Sequence, residues 1–254
     1  MVMRVVLSSI VVLLAIGGAL ANSCPTASNS TCNYDVLRCC DDQFQKTLGL
    51  SNCTGAFYDE PECHQRDIEN LYAGGTQNLL KVCSAFNTFY QCLGKSSGDC
   101  TSIQFHMNHG MDLGSAMQLV SIYKQYGFAC GAGLDAFVNA DKCMSGVFTQ
   151  NTTATKIASC RNKFGSNLRS QWAEHCSYFQ EYTGCFQKTF RDACVVEGSG
   201  LEAGWWGCEY ARQGARSNMH DCFVQCSSTL KMGQPVQSAM QFNSKLFEFP
   251  KKNM

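Results

Sequence analysis

The sequence predicts an all-α, disulfide-crosslinked helical bundle in two similar halves, followed by a polar C-terminal tail. Three observations lead there. Large apolar residues recur at steps of three and four, the period of a helix buried on one face. The chain carries 18 cysteines, an even number, and all lie beyond residue 21. Few stretches alternate as strands do, only four prolines occur, and glycine punctuates the apolar runs at Gly74-Gly75, Gly94, Gly165 and Gly198-Ser199-Gly200.

Residues 1–21 have the three parts of a secretory signal peptide. Arg4 gives the basic start, Val5 to Ala15 is nearly unbroken apolar chain, and Ala19-Leu20-Ala21 is a small-x-small cleavage site. A spanning helix would need about 20 apolar residues. Gly17 and Gly18 interrupt the run here, and Asn22-Ser23 ends it. The expectation is cleavage after Ala21, secretion to the extracellular space and no membrane span. The end of the sequence, Phe249 to Met254, is too polar for a lipid-anchor signal.

An oxidising compartment is where many cysteines persist as pairs. The expected disulfide set is Cys24, Cys32, Cys39, Cys40, Cys53, Cys63, Cys83, Cys92, Cys100, Cys130, Cys143, Cys160, Cys176, Cys185, Cys194, Cys208, Cys222 and Cys226. Sequons at Asn29, Asn52 and Asn151 fit an extracellular glycoprotein. The formal net charge is zero, only 16% of residues are charged, and no basic cluster occurs. No nucleic-acid partner is therefore expected, and an anionic membrane surface is a poor fit.

The cysteine spacing suggests two copies of one helical module. Cys83, Cys92 and Cys100 are followed by Cys130 and Cys143, while Cys176, Cys185 and Cys194 are followed by Cys208 and Cys222. Leu79, Val82, Cys83, Phe86, Tyr90 and Leu93 make one stripe. Leu168, Trp172, His175, Phe179, Tyr182, Phe186 and Phe190 make the other. Cysteines nine apart lie on opposite sides of a helix at about 100° per residue, so each helix can be clamped to two neighbours. Adjacent Cys39 and Cys40 must diverge, whereas Cys222 and Cys226 should share a helical face. An additional amphipathic helix is expected from Leu113, Ala116, Met117, Val120 and Tyr123. It is either a specialised surface or one more core helix.

These readings place a first module at 22–148, a second at 156–226 and a flexible tail at 227–254, with Thr149–Thr155 as the linker. The halves then hold eleven and seven cysteines, so at least one bridge must cross. Cys160, just past the linker, is the expected crossing residue.

Candidate chemistry is sparse. Tyr126–Gly133, Cys39-Cys40-Asp41-Asp42 and His220-Asp221-Cys222 resemble pieces of a secreted phospholipase A2, but in an order that family does not use. His106, His109 and Asp112 have helical spacing for a metal site. The plainer reading is a polar helix start. His175 sits on an apolar stripe and is expected in the core, and His64 has no evident partner. Trp205-Trp206 suits either a sugar-stacking platform or packing over the Cys208 bridge. No nucleophile elbow and no phosphate-binding glycine loop occurs. No catalytic residue, cofactor or metal is expected.

The spacing of cysteine, eight residues, cysteine and a large apolar residue, in Cys92-Leu93 and Cys185-Phe186, resembles the secreted helical cysteine-rich domains of invertebrates, nematodes above all. The resemblance covers residues 32–226 as two modules and carries over no catalytic site. The resulting expectation is a non-enzymatic glycoprotein of matrix, mucus or secreted fluid, its partner an extracellular protein, a glycan or a small apolar ligand. The alternatives are a carrier of apolar ligands, which needs an internal pocket of roughly 300 Å³ or more, and a phospholipase A2-like hydrolase.

Overall fold

The computed structural model describes residues 24–25, 30–50 and 52–227. The expected signal peptide, the Asn29 sequon and nearly all of the expected tail lie outside them. The described chain is helical with no strand. In order, the helices are α1 (Tyr34–Leu48), α2 (Pro61–Leu71), α3 (Gly75–Leu93), α4 (Ser97–Cys100), α5 (Ile103–Asn108), α6 (Leu113–Cys130), α7 (Leu134–Asn139), α8 (Asp141–Val147), α9 (Asn151–Ser170), α10 (His175–Cys194) and α11 (Gly200–Ala215). None is long and apolar enough to cross a membrane.

Local chemistry sets several boundaries. The Asn33 side chain accepts from Asp35 N at 2.8 Å and starts α1; Gly49, at φ 70°, stops it in a left-handed turn. Pro61 opens α2. Ser102 and Asp112 cap α5 and α6 through hydrogen bonds to Phe105 N and Ser115 N.

All 18 cysteines are paired. Cysteines nine apart on one helix bridge to different neighbours. Cys83 bridges to Cys130 on α6 while Cys92 bridges to Cys40 on α1. Cys176 bridges to Cys222 while Cys185 bridges to Cys160 on α9. Cys39 diverges from Cys40 to reach Cys24. Cys32–Cys100, Cys53–Cys63, Cys143–Cys194 and Cys208–Cys226 complete the set.

Two expectations about pairing fail. Cys160 stays local, because α9 runs beside α10 and places it opposite Cys185. The bridge that spans the expected linker is Cys143–Cys194, made because α8 packs on α10. Cys222 and Cys226 follow α11 in non-helical chain and go to different helices, α10 and α11. The linker itself is largely the first turns of α9. A cleaner division lies upstream: five bridges close residues 24–130, four close residues 143–226, and none joins the two.

Each unit has three cysteines used alike: α10 carries all three in the second, while in the first α3 carries two and α4 the third. The first (Cys83, Cys176) bonds to the chain at or beyond the end of a later helix (Cys130, Cys222). The second (Cys92, Cys185) bonds to an earlier helix (Cys40, Cys160). The third (Cys100, Cys194) bonds upstream of that earlier helix (Cys32, Cys143).

The core is continuous across both units. Trp206 on α11 is fully buried, with ring centroids 5.7 Å from Phe128, 5.8 Å from Phe137, 5.3 Å from Phe190 and 4.8 Å from Tyr210. Phe128 belongs to the first unit and Phe190 and Tyr210 to the second, so the cluster welds them together. The α10–α11 contact is close because Gly207 faces Phe190; a Cβ there would stand 2.6 Å from the ring. Helix α6 is a core helix: Ala116, Leu119, Val120, Ile122, Tyr123, Tyr126 and Phe128 are all buried. The expected second-half stripe divides at Gln171, where φ −153° breaks the helix. Phe179, Tyr182, Phe186 and Phe190 are buried, whereas Trp172 lies 54% exposed.

Candidate functional site

A surface groove of about 450 Å³ lies between α7 and α11. Ala132, Asp135 and Ala136 line it from the chain joining the two units, and Leu201, Glu202 and Trp205 from α11. Trp205 is half-buried, its ring 5.8 Å from Phe128 and set edge-to-face. Its neighbour Trp206 points into the core. Successive residues on a helix diverge by about 100°, so one tryptophan packs and the other lines the groove. The Asn139 amide donates to Glu202 Oε1 at 3.2 Å. The groove thus presents an indole, an exposed leucine and two carboxylates, with no cationic side chain in its lining.

The remaining predicted residues are dispersed. His106 is buried, and burial pushes its pKa down to about 4, so it is neutral at pH 7. His109 Nδ1 bonds to Phe105 O at 2.8 Å, and its ring stacks on Tyr34. Asp112 is spent capping α6 through Ser115 N and Oγ. Among the described residues these three do not come together as a metal cluster. The clusters that do form all include cysteines that are disulfide-bonded and so are not thiolate ligands. His175 is not in the core: its Nε2 lies 2.9 Å from Asp221 Oδ2 at a half-exposed edge. His64 is buried, stacks on Phe57 and contacts Gly55 O at 2.9 Å. Tyr126–Cys130 is helix rather than a calcium-binding loop, and Asp221 faces His175. Asn52 and Asn151 are exposed; the Asn52 amide donates to Asp67 Oδ1 at 2.8 Å.

No protein-family model matches this chain, and no curated protein or solved structure is significantly similar to it.

Two buried carboxylates have partners that the sequence did not announce. Glu69 on α2 accepts both guanidinium nitrogens of Arg161 on α9, Nη1 at 2.9 Å and Nη2, and also Tyr210 Oη at 2.8 Å. This fork links the two units inside the core. Its one sequence signal is a carboxylate in the helical stripe Gln65, Ile68, Glu69, Tyr72. Asp41 on α1 accepts from Phe57 N at 2.8 Å and Gln45 Nε2 at 3.0 Å, and burial pushes its pKa up to about 7. It borders an aromatic-lined void with Phe44, Phe57, Phe86, Phe89 and Tyr123. That void has about 10 Å³, room for about one water molecule. It is far below the internal pocket that carrying an apolar ligand requires.

Proposed function

We propose that the protein is a secreted, non-enzymatic glycan-binding protein, built from two disulfide-closed copies of a helical module. The α7–α11 groove is its binding surface. One observation carries this reading: Trp205 is held half-exposed in a groove also lined by Asp135 and by Glu202, whose Oε1 accepts from the Asn139 amide. An indole face takes the C–H face of a sugar ring, and carboxylates and amides take its hydroxyls. The groove's volume is in the range of small-ligand sites. The shared bridging scheme supports duplication of the cysteine-rich module that the spacing resembles. Complete pairing of 18 cysteines supports an extracellular setting.

The test is an array of soluble and matrix glycans probed with wild-type protein and Trp205→Ala. Binding by the wild type, weakened at least about tenfold in the variant, supports the proposal; the loss corresponds to about 1.4 kcal/mol. Unchanged binding in the variant, or no glycan bound by the wild type, overturns it. Chromatography of the recovered glycan checks that it is intact, and cleavage products would contradict the non-enzymatic part.

A further inference from the structure

Both nitrogens of His175 meet acceptors. Nδ1 lies 2.9 Å from Trp172 O, and Nε2 lies 2.9 Å from Asp221 Oδ2. A carbonyl and an ionised carboxylate cannot donate, so both nitrogens donate, which is the imidazolium form. The same carboxylate raises the His175 pKa. The Trp172 indole lies parallel to the ring at 4.9 Å. His175 Nε2 also stands 3.6 Å from Cys176 Sγ, and Asp221 Oδ1 stands 3.8 Å from Cys222 Sγ. Cys176 and Cys222 are bonded to each other, and both are half-exposed. One end of this disulfide therefore faces a cation and the other an anion. Cys24–Cys39 and Cys83–Cys130 are also half-exposed at both ends. Among the described residues, no histidine hydrogen-bonds to a sulfur of either.

We propose that Cys176–Cys222 is a site of thiol–disulfide exchange with extracellular dithiols. An incoming thiolate attacks Cys222 Sγ. A sulfur–sulfur bond forms between the two, and the Cys222–Cys176 bond breaks. The electron pair leaves on Cys176 Sγ, where the His175 imidazolium stabilises the thiolate and supplies a hydrogen bond. Attack in the other sense would leave a thiolate on Cys222 beside Asp221. A thiol whose pKa is lowered by a neighbouring cation is the faster leaving group, which fixes the direction. The second thiol of the reductant then displaces Cys222. The dithiol is oxidised by two electrons to its disulfide, and the protein gains two thiols and the two protons the dithiol gave up. Cys208–Cys226 still anchors the chain beyond Cys222, so exchange frees only the segment that follows α11.

Dithiothreitol at limiting concentration, with alkylation and peptide mass spectrometry on the full oxidised protein, tests this. Cys176 and Cys222 should be labelled about tenfold faster than the cysteines of Cys24–Cys39 and Cys83–Cys130, because only here does an imidazolium stabilise the leaving thiolate. Glutathione should form its transient adduct on Cys222. His175→Gln should slow this bridge by a similar factor and leave the other two unchanged. Asp221→Asn, which weakens the imidazolium, should slow it as well and carries the test if His175→Gln does not fold. Equal rates for the three bridges, an adduct on Cys176, or a folded variant reduced as fast as the wild type would overturn the proposal.

Discussion

Replacing Glu69 by Gln removes the carboxylate that Arg161 and Tyr210 share between the two units. The Glu69 side chain is only 5% exposed, and that of Arg161 26%. Removing one partner of a buried pair costs about 3–5 kcal/mol, because the other charge is left uncompensated. Arg161 keeps some access to water, which lowers the expectation for Glu69→Gln to about 2–3 kcal/mol. At about 2–4 °C per kcal/mol for a chain of this size, the melting midpoint falls by about 4–12 °C. Arg161→Met strands the more deeply buried Glu69 with the Tyr210 hydroxyl alone and should cost at least as much. The double variant Glu69→Gln/Arg161→Met should cost less than the sum of the singles by about 2 kcal/mol, since neither charge is then stranded. Urea unfolding with the disulfides intact, fitted for midpoint and slope, measures all three. Single variants costing under about 1 kcal/mol, or strict additivity, would show that the fork does not couple the units.

Other substitutions probe packing and titration. Gly207→Ala puts a methyl 2.6 Å from the Phe190 ring and should cost about 1–3 kcal/mol in urea unfolding. Trp206→Ala, which empties the centre of the core, should cost about 3–5 kcal/mol, whereas Trp205→Ala should leave the midpoint within about 1 kcal/mol of wild type. Asp41 titrates near 3.8 unfolded and near 7 folded. Its folded state thus holds the proton more tightly, and stability should fall as pH rises from about 4 to 7, by at most about 4 kcal/mol. Asp41→Asn should flatten that slope; an unchanged pH profile would show that Asp41 is not the group responsible. The His175 ring should titrate by NMR above the ordinary histidine range and move down in Asp221→Asn.

The helical class and the disulfide chemistry were legible because both are local patterns. Apolar steps of three and four give helices, and a nine-residue cysteine spacing gives opposite faces. Pairing was not legible, because it depends on which helices become neighbours. Cys143 looked like the end of the first half, yet α8 packs on α10 and delivers it to Cys194. His175 fell in phase with the apolar stripe, but the helix begins at that residue, and its side chain turns to Asp221, 46 residues on. Trp205 and Trp206 could not be told apart by composition; only the helical phase of α11 separates groove from core. Glu69 and Arg161 stand 92 residues apart, and no local pattern announces that they meet.

The covalent division between residues 24–130 and 143–226 is the claim on which the architecture rests, and cleavage tests it most directly. A protease site inserted between exposed Gly131 and Ala132 should yield two fragments that stay together in native buffer. In denaturant without reductant they should separate. A cut at Thr149-Gln150 should leave the fragments joined under the same denaturing conditions, through Cys143–Cys194. Fragments that remain covalently linked after the first cut would contradict the account.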